Sequence, residues 1–141
     1  MDASKELSFF DHFAGEHGEY DVLGRRAYRR LQGVFDALVS PRKGEHCLDL
    51  GCGTGAFTRQ LSAFGLDLTG MDISPRSIEA ATRLSASENY PVGDIRATGF
   101  AAGRADIVAC SGALHHCDQV TTRVEILREG YRLLKPGGRL L

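Results

Sequence analysis

The sequence predicts a doubly wound α/β domain, a mostly parallel sheet with helices on both faces. Short apolar runs alternate with helical periodicity from residue 47 onward, and strands that alternate with helices build parallel sheets covered on both sides. The first run ends in a glycine-rich turn, CLDLGCGTGAFT from Cys47 to Thr58, that opens a helix. Length and composition agree. The 141 residues suit about one domain, and 43% apolar with 25% charged residues is an ordinary balance for a globular core.

Residues 1–20 interleave Phe9, Phe10, Phe13 and Tyr20 with His12 and His17, too apolar for a disordered tail and too irregular for one clean helix. From Asp21 the spacing becomes helical, with Leu31, Val34, Phe35 and Leu38 at i, i+3, i+4 and i+7. Ser40 and Pro41 stop that helix, because proline disfavours the α region in the residue before it. Residues 1–40 therefore form a helical segment and residues 41–141 the α/β core. Within the core, residues 47–50 read as a short buried strand, 56–64 as a helix, and 66–71 as a second strand ending at Asp72. Ser74 is placed to cap the next helix and Pro75 to open it, with Ile78, Ala81 and Leu84 following. Residues 90–92 are a weak third strand closed by Gly93 and Asp94, and 106–110 a clear fourth. A long amphipathic helix then carries Val120, Val124, Leu127, Tyr131 and Leu134 at steps of four and three. Lys135-Pro136-Gly137-Gly138 ends it, and residues 139–141 begin a fifth strand.

In such sheets ligands bind at the carboxyl ends of the strands, near the point where strand order reverses. A tight turn alone needs positive φ at one glycine. Three at every second position, Gly51, Gly53 and Gly55, suit close approach of a nucleotide-type ligand, with helix N-terminal N–H groups aimed at its anionic part. The nucleotide class stays open here. Gly51, Gly53 and Ala56 satisfy the dinucleotide pattern G-x-G-x-x-G/A of nicotinamide dehydrogenases. Asp72, 21 positions beyond Gly51, suits ribose hydroxyls, which both classes carry.

Five blocks in order, LDLGCGTG, GMDIS, GDIR, DIVACSGALHH and LKPGGRLL, resemble the class I S-adenosylmethionine-dependent methyltransferases over roughly residues 45–141. The dehydrogenase pattern calls for neither Asp49, nor Asp94, nor the final Leu-Lys-Pro-Gly-Gly. The resemblance implies a Rossmann-like core that binds S-adenosyl-L-methionine and releases S-adenosyl-L-homocysteine. It implies that Asp49 and the loop of Gly51, Cys52, Gly53 and Gly55 meet the methionine part, Asp49 through water or the ammonium group. By the same resemblance Asp72 binds the ribose hydroxyls with Ile73 against adenine. Asp94 accepts from the adenine amino group with Ile95 beside it, and Ser111 and Gly112 line the floor near the sulfonium. The N-terminal segment, 1–40, would fold over the cofactor and bring His12, His17, Tyr20 or Tyr28 toward it. Cys52 is a small residue that the loop accommodates rather than a nucleophile.

Methyl transfer from a sulfonium is an in-line displacement, so the protein chiefly supplies proximity and alignment. A general base is needed only when the accepting atom must lose a proton. His115 and His116, just past the fourth strand, are the catalytic candidates, His115 slightly favoured, since histidine titrates near neutral pH. The plainer alternative has one histidine packed in the loop and the other in solvent. The acceptor follows by exclusion. SGALHH is not the Asn-Pro-Pro-Tyr of the DNA-adenine and glutamine branches, and no Pro-Cys marks a cytosine nucleophile. A net charge of −1, from 17 basic and 18 acidic residues, gives no footprint for nucleic acid or an anionic membrane. Arg25, Arg26, Arg29 and Arg30 read as a solvated helix face. Transfer to an N, O or C atom of a small molecule is the expected function.

No window approaches the roughly 20 apolar residues of a membrane span, and the start MDASKELS is not a signal peptide. Cys47, Cys52, Cys110 and Cys117 lack any C-x-x-C pairing and are expected as reduced thiols in the cytoplasm. His115, His116 and Cys117, adjacent on one loop, make a poor chelate, so no metal is expected. Members of the resembled family continue past LKPGGRLL through a full fifth strand, a helix and an antiparallel pair, in strand order 3-2-1-4-5-7-6; this sequence stops at Leu141. Three readings of that stop remain open: a piece of a longer chain, a sheet edge covered by a partner or second copy, and a non-catalytic cofactor-binding remnant.

Overall fold

A computed structural model describes residues 5, 7–9, 11, 12, 25–85 and 87–141. Helix α1 (Arg25–Val39) ends where Ser40 turns to φ 48°, in the left-handed region, ahead of Pro41. The core then runs β1 (His46–Leu50), α2 (Ala56–Leu61), a 3₁₀ turn (Ser62–Phe64), β2 (Asp67–Met71) and α3 (Pro75–Leu84). It continues through β3 (Ala105–Ala109), a second 3₁₀ turn (Leu114–His116), α4 (Val120–Leu133) and β4 (Leu134–Leu140). The strands form one sheet in the order β2-β1-β3-β4, each neighbouring pair parallel. The chain leaves β1 for β2 on one side and returns to β3 on the other, so the order reverses beside β1. That reversal opens a crevice at the carboxyl ends of these strands.

Successive strand residues face opposite layers. Cys47, Leu68, Ile107 and Ala109 meet Tyr28, Phe35 and Val39 of α1 and Phe57 and Leu61 of α2. Phe35 is the centre of that layer, its ring 6.0 Å from Phe57 edge-on and 5.6 Å from Phe64. Leu48, Leu50 and Val108 face the other way, against Leu133 of α4. Burying each such Leu, Val or Phe contributes about 1.5–3 kcal/mol, and β1 collects that gain on both faces. Helix α3 starts as its sequence predicts, with Pro75 in the first turn and Ser74 Oγ accepting from the Ser77 N–H at 3.1 Å. Among the described residues no helix is long and apolar enough to cross a membrane, and no cluster of His, Cys, Asp and Glu is placed to hold a metal.

The structure corrects four sequence-based expectations. Residues 90–92 form no strand: two isolated parallel bridges, Thr69–Asn89 and Asp72–Val92, join this stretch to β2. Pro91 lies between them and has no N–H to extend the ladder. Helix α1 buries Tyr28, Phe35 and Val39, while Val34 and Leu38 stand in solvent. Helix α4 buries Ile126, Glu129, Gly130 and Leu133, and leaves Val120, Val124, Leu127 and Tyr131 exposed. Strand β4 begins at Leu134, directly after α4, rather than at Arg139. Its register with β3 jumps from Ala105–Leu134 to Ile107–Arg139, so Lys135-Pro136-Gly137-Gly138 is a bulge inside the strand.

Candidate functional site

The carboxyl ends of β1, β2 and β3 open onto a cleft of about 590 Å³. Of the residues singled out in the sequence, Asp49, Gly51, Cys52, Gly53, Asp72, Ile73, Asp94, Ile95, Ser111, Gly112, His115 and His116 all line it. Phe9 and Tyr28 line it too, whereas His12 does not. His17 and Tyr20 lie outside the described residues. Gly55 does not line it, and an added Cβ there would lie 2.8 Å from the Tyr90 hydroxyl.

The glycine turn works differently from the expectation. Gly51, Gly53 and Gly55 all have positive φ, at 79°, 54° and 77°, so backbone geometry alone demands all three. At Gly51 a Cβ would also come within 2.5 Å of Ala113 Cβ. Four of its N–H groups are also bonded within the protein. Gly51 and Cys52 donate their N–H groups to the Met71 carbonyl at 2.8 and 3.0 Å. Gly53 donates to Asp72 Oδ2 at 2.9 Å, and Gly55 to the Cys52 carbonyl at 2.9 Å. Those donors are already bonded within the protein.

Carboxylates face the cleft instead. Asp49, near the end of β1, is 1% exposed. Its Oδ2 accepts from the Thr58 hydroxyl at 2.6 Å, and its Oδ1 has no partner among the described residues. Burial lifts the Asp49 pKa to about 6, with the Thr58 bond opposing and Asp72 adding repulsion. Asp72 is raised as well, mainly by burial, against N–H donors that hold it from Ser74 and Gly53 at 2.9 Å each. Asp94 is instead lowered, because Arg96 grips both carboxylate oxygens through Nε and the guanidinium tip. Burial pushes the Cys52 thiol well up.

At the other end of the cleft the 3₁₀ turn after β3 stacks the His115 and His116 rings with centroids 3.8 Å apart. His115 is exposed and His116 half-buried. Burial, and then His115, hold the His116 pKa below its ordinary value. Leu31, Phe57 and Ile126 give this cleft apolar walls. Sequence reasoning missed Thr58 and Arg96. Arg96, two residues after Asp94 in GDIR, was visible as a charge pair; Thr58 meets Asp49 across a strand, a turn and a helix, a contact with no periodic signature.

Residues 48–141 match a methyltransferase domain family. Over 140 residues the chain is 30% identical to the malonyl-[acyl-carrier protein] O-methyltransferase of Enterobacter lignolyticus, covering 99% of this chain and 53% of that protein. It is 34% identical over 102 residues to the ubiquinone biosynthesis O-methyltransferase of Coxiella burnetii, covering 70% and 42%. Among solved structures, a Haemonchus contortus phosphoethanolamine N-methyltransferase 2, in complex with phosphomonomethylethanolamine and S-adenosylhomocysteine, matches with a TM-score of 0.70. That match has 26% identity over 79% of this chain and 27% of that one. The chain spans about half the length of the curated relatives it matches. With its parallel sheet, its switch-point cleft and the match from Leu48 to the last residue, the chain belongs to the class I S-adenosylmethionine-dependent methyltransferases.

Proposed function

We propose that the cleft binds S-adenosylmethionine and that the protein transfers its methyl group to an oxygen atom of a small molecule. The observation that carries this reading is the division of polar groups around the cleft. The N–H groups of Gly51, Cys52, Gly53 and Gly55 are bonded internally, while Asp49, Asp72 and Asp94 line the space. S-adenosylmethionine presents donors to them: an ammonium, ribose hydroxyls and an adenine amino group. In this reading Asp49 Oδ1 takes the ammonium and Asp72 the ribose. Asp94, oriented by Arg96, meets the adenine edge, with Ile73 and Ile95 beside the ring. A nicotinamide dinucleotide fits less well, because its pyrophosphate would meet carboxylates beside Gly51, Cys52 and Gly53 N–H groups that are already bonded.

When bound, the cofactor supplies a methyl group activated on a sulfonium, with a neutral thioether as leaving group. What this chain adds is alignment and a proton acceptor. His116, whose pKa burial and then His115 hold below its ordinary value, accepts the proton of a hydroxyl acceptor. His115 takes the lesser role. Oxygen as the accepting atom rests on the two O-methyltransferase relatives. In this reading the described N-terminal residues cover part of the cleft. Phe9 and Tyr28 line it, and Asp11 accepts from Ser74 Oγ at 2.6 Å and from the Arg76 N–H at 3.3 Å. Four free cysteines fit a cytoplasmic location, where thiols stay reduced.

A second reading has the chain bind cofactor without turnover until a partner or second copy covers the sheet. It is favoured by β4, which ends the sheet with its outer edge unpaired among the described strands. Calorimetry with S-adenosylhomocysteine and with NAD, followed by transfer of labelled methyl to hydroxy acceptors, separates the readings. S-adenosylhomocysteine should bind and NAD should not; the reverse order of affinities sinks the main proposal. Turnover by the 141-residue chain removes the second reading. His116→Gln should lower kcat by about 10²–10⁴ with S-adenosylhomocysteine affinity within about two-fold. An unchanged rate removes His116 as the base.

A further inference from the structure

We infer that Thr58 is a positioning residue for the amino-acid end of the cofactor: its hydroxyl fixes Asp49 through Oδ2 and thereby presents Oδ1 as the acceptor in the cleft. This rests on the reading of Asp49 given above and adds a residue that has no contact of its own with the ligand. Thr58 lies in α2 and is fully buried. A threonine inside a helix commonly bonds the carbonyl four residues back. Here that carbonyl, on Thr54, accepts from Arg59 Nη1 at 2.6 Å, and the Thr58 hydroxyl instead reaches Asp49 Oδ2 at 2.6 Å.

The neighbours of Asp49 make this bond decisive. Its cross-strand partners in β2 and β3 are Gly70 and Ala109, neither with a polar side chain to share the carboxylate. One oxygen is therefore held by a single hydroxyl and the other is a buried, unpartnered acceptor at the wall of the cleft. A buried acceptor without a donor is costly, and that cost is removed when a cationic donor occupies the cleft. Without the Thr58 bond the carboxylate would be free to rotate about its terminal torsion, and Oδ1 would lose its fixed direction. Thr58 thus sets how well the cleft distinguishes a ligand with an ammonium from one without it.

The test compares S-adenosylhomocysteine with 5′-methylthioadenosine, which keeps adenine, ribose and thioether and lacks the amino-acid end. Both are titrated calorimetrically into wild type, Thr58→Val and Thr58→Ser, with thermal melts to verify folding. Thr58→Val should weaken S-adenosylhomocysteine about 10-fold or more, the equivalent of one charge-assisted hydrogen bond, and 5′-methylthioadenosine less than about two-fold. Thr58→Ser, which keeps the hydroxyl, should restore S-adenosylhomocysteine to within about two-fold of wild type. Equal losses for both ligands, or a serine variant that fails to rescue, overturn the inference while the cofactor reading stands. If the valine variant does not fold, Thr58→Ala is judged on the same ligand ratio. A wild-type chain that binds 5′-methylthioadenosine and S-adenosylhomocysteine equally well overturns the Asp49 reading and this inference together.

Discussion

At Asp49 the folded chain holds a carboxyl whose pKa is raised to about 6, chiefly by burial. Between the unfolded value near 3.9 and about 6 the folded state keeps a proton that the unfolded chain has released. Stability therefore falls as pH rises through that window, and the deficit, on the order of 3 kcal/mol at most, is complete above it. Asp49→Asn removes the buried charge. It should raise the unfolding free energy by about 1–3 kcal/mol at pH 8, with the gain shrinking toward zero at pH 4. The same variant should weaken S-adenosylhomocysteine about 10-fold or more, since a charged hydrogen-bond partner is lost. Urea melts at the two pH values, with calorimetry at pH 8, measure both effects. A variant less stable than wild type at pH 8 would mean that the charge is already compensated in the empty cleft. A carboxyl that destabilises the fold and faces a cleft is one retained for a ligand.

Among the elements, α4 is the one whose role was least legible. Its stripe of Val120, Val124, Leu127 and Tyr131 has helical spacing, so hydropathy marks it as the buried face. The face that packs is roughly opposite, and it includes Gly130, where an added Cβ would sit 3.3 Å from Leu140 and 3.5 Å from Val108. A glycine that lets a helix approach a sheet gives no apolar signal, and beside it Glu129 reads as a surface charge. Glu129 in fact accepts from the Thr98 N–H at 2.9 Å, the Thr98 hydroxyl at 2.6 Å and the Arg132 guanidinium at 2.7 Å. It ties α4 to the stretch that carries Asp94 and Ile95. Those bonds, Arg132 first, lower its pKa to about 2, so its stabilisation is present above about 4.5 and fades as pH falls toward 2. Arg132 is partly in solvent, and screening trims the effect. Glu129→Gln should cost about 1–2 kcal/mol at pH 7 and speed amide exchange at residues 95–100; unchanged exchange there would remove the tie. Leu127→Lys, on the exposed stripe, should change stability by less than about 0.5 kcal/mol in thermal melts. By contrast β1, β2, β3 and the start of α3 were legible, because short apolar runs and a Ser-Pro cap are local signals. The faces of α1 and α4 depend on what the sheet presents to them, and that is not local.

In the molecule as a whole, β1 joins everything that matters to the cleft. Its residues feed both packing layers, its end carries Asp49 and the glycine turn, and its two neighbours bring Asp72 and the histidine turn to the same opening. Distant parts are also tied back to it: Arg139 of β4 pairs with Glu45 at 2.6 Å, and Asp106 accepts from the His46 N–H at 2.9 Å. The order of these parts was readable from the alternation of strands and helices, and the three cleft carboxylates from their motifs. The internal bonding of the Gly51, Cys52 and Gly53 N–H groups was not, because it depends on the Met71 carbonyl and Asp72 arriving from β2. A cleft built from the ends of three strands exists only when those strands are paired, so a ligand that fills it must stabilise the entire fold. S-adenosylhomocysteine at 100 times its Kd should add about 2.7 kcal/mol. For a domain of this size that corresponds to a rise in Tm of roughly 5–11 °C, in a single transition seen alike by near- and far-ultraviolet circular dichroism. NAD at the same concentration should leave Tm unchanged. Cooperative unfolding with no response to S-adenosylhomocysteine would place the cofactor outside this cleft. A shift confined to one spectroscopic probe would mean that the cleft can form or melt apart from the sheet beneath it.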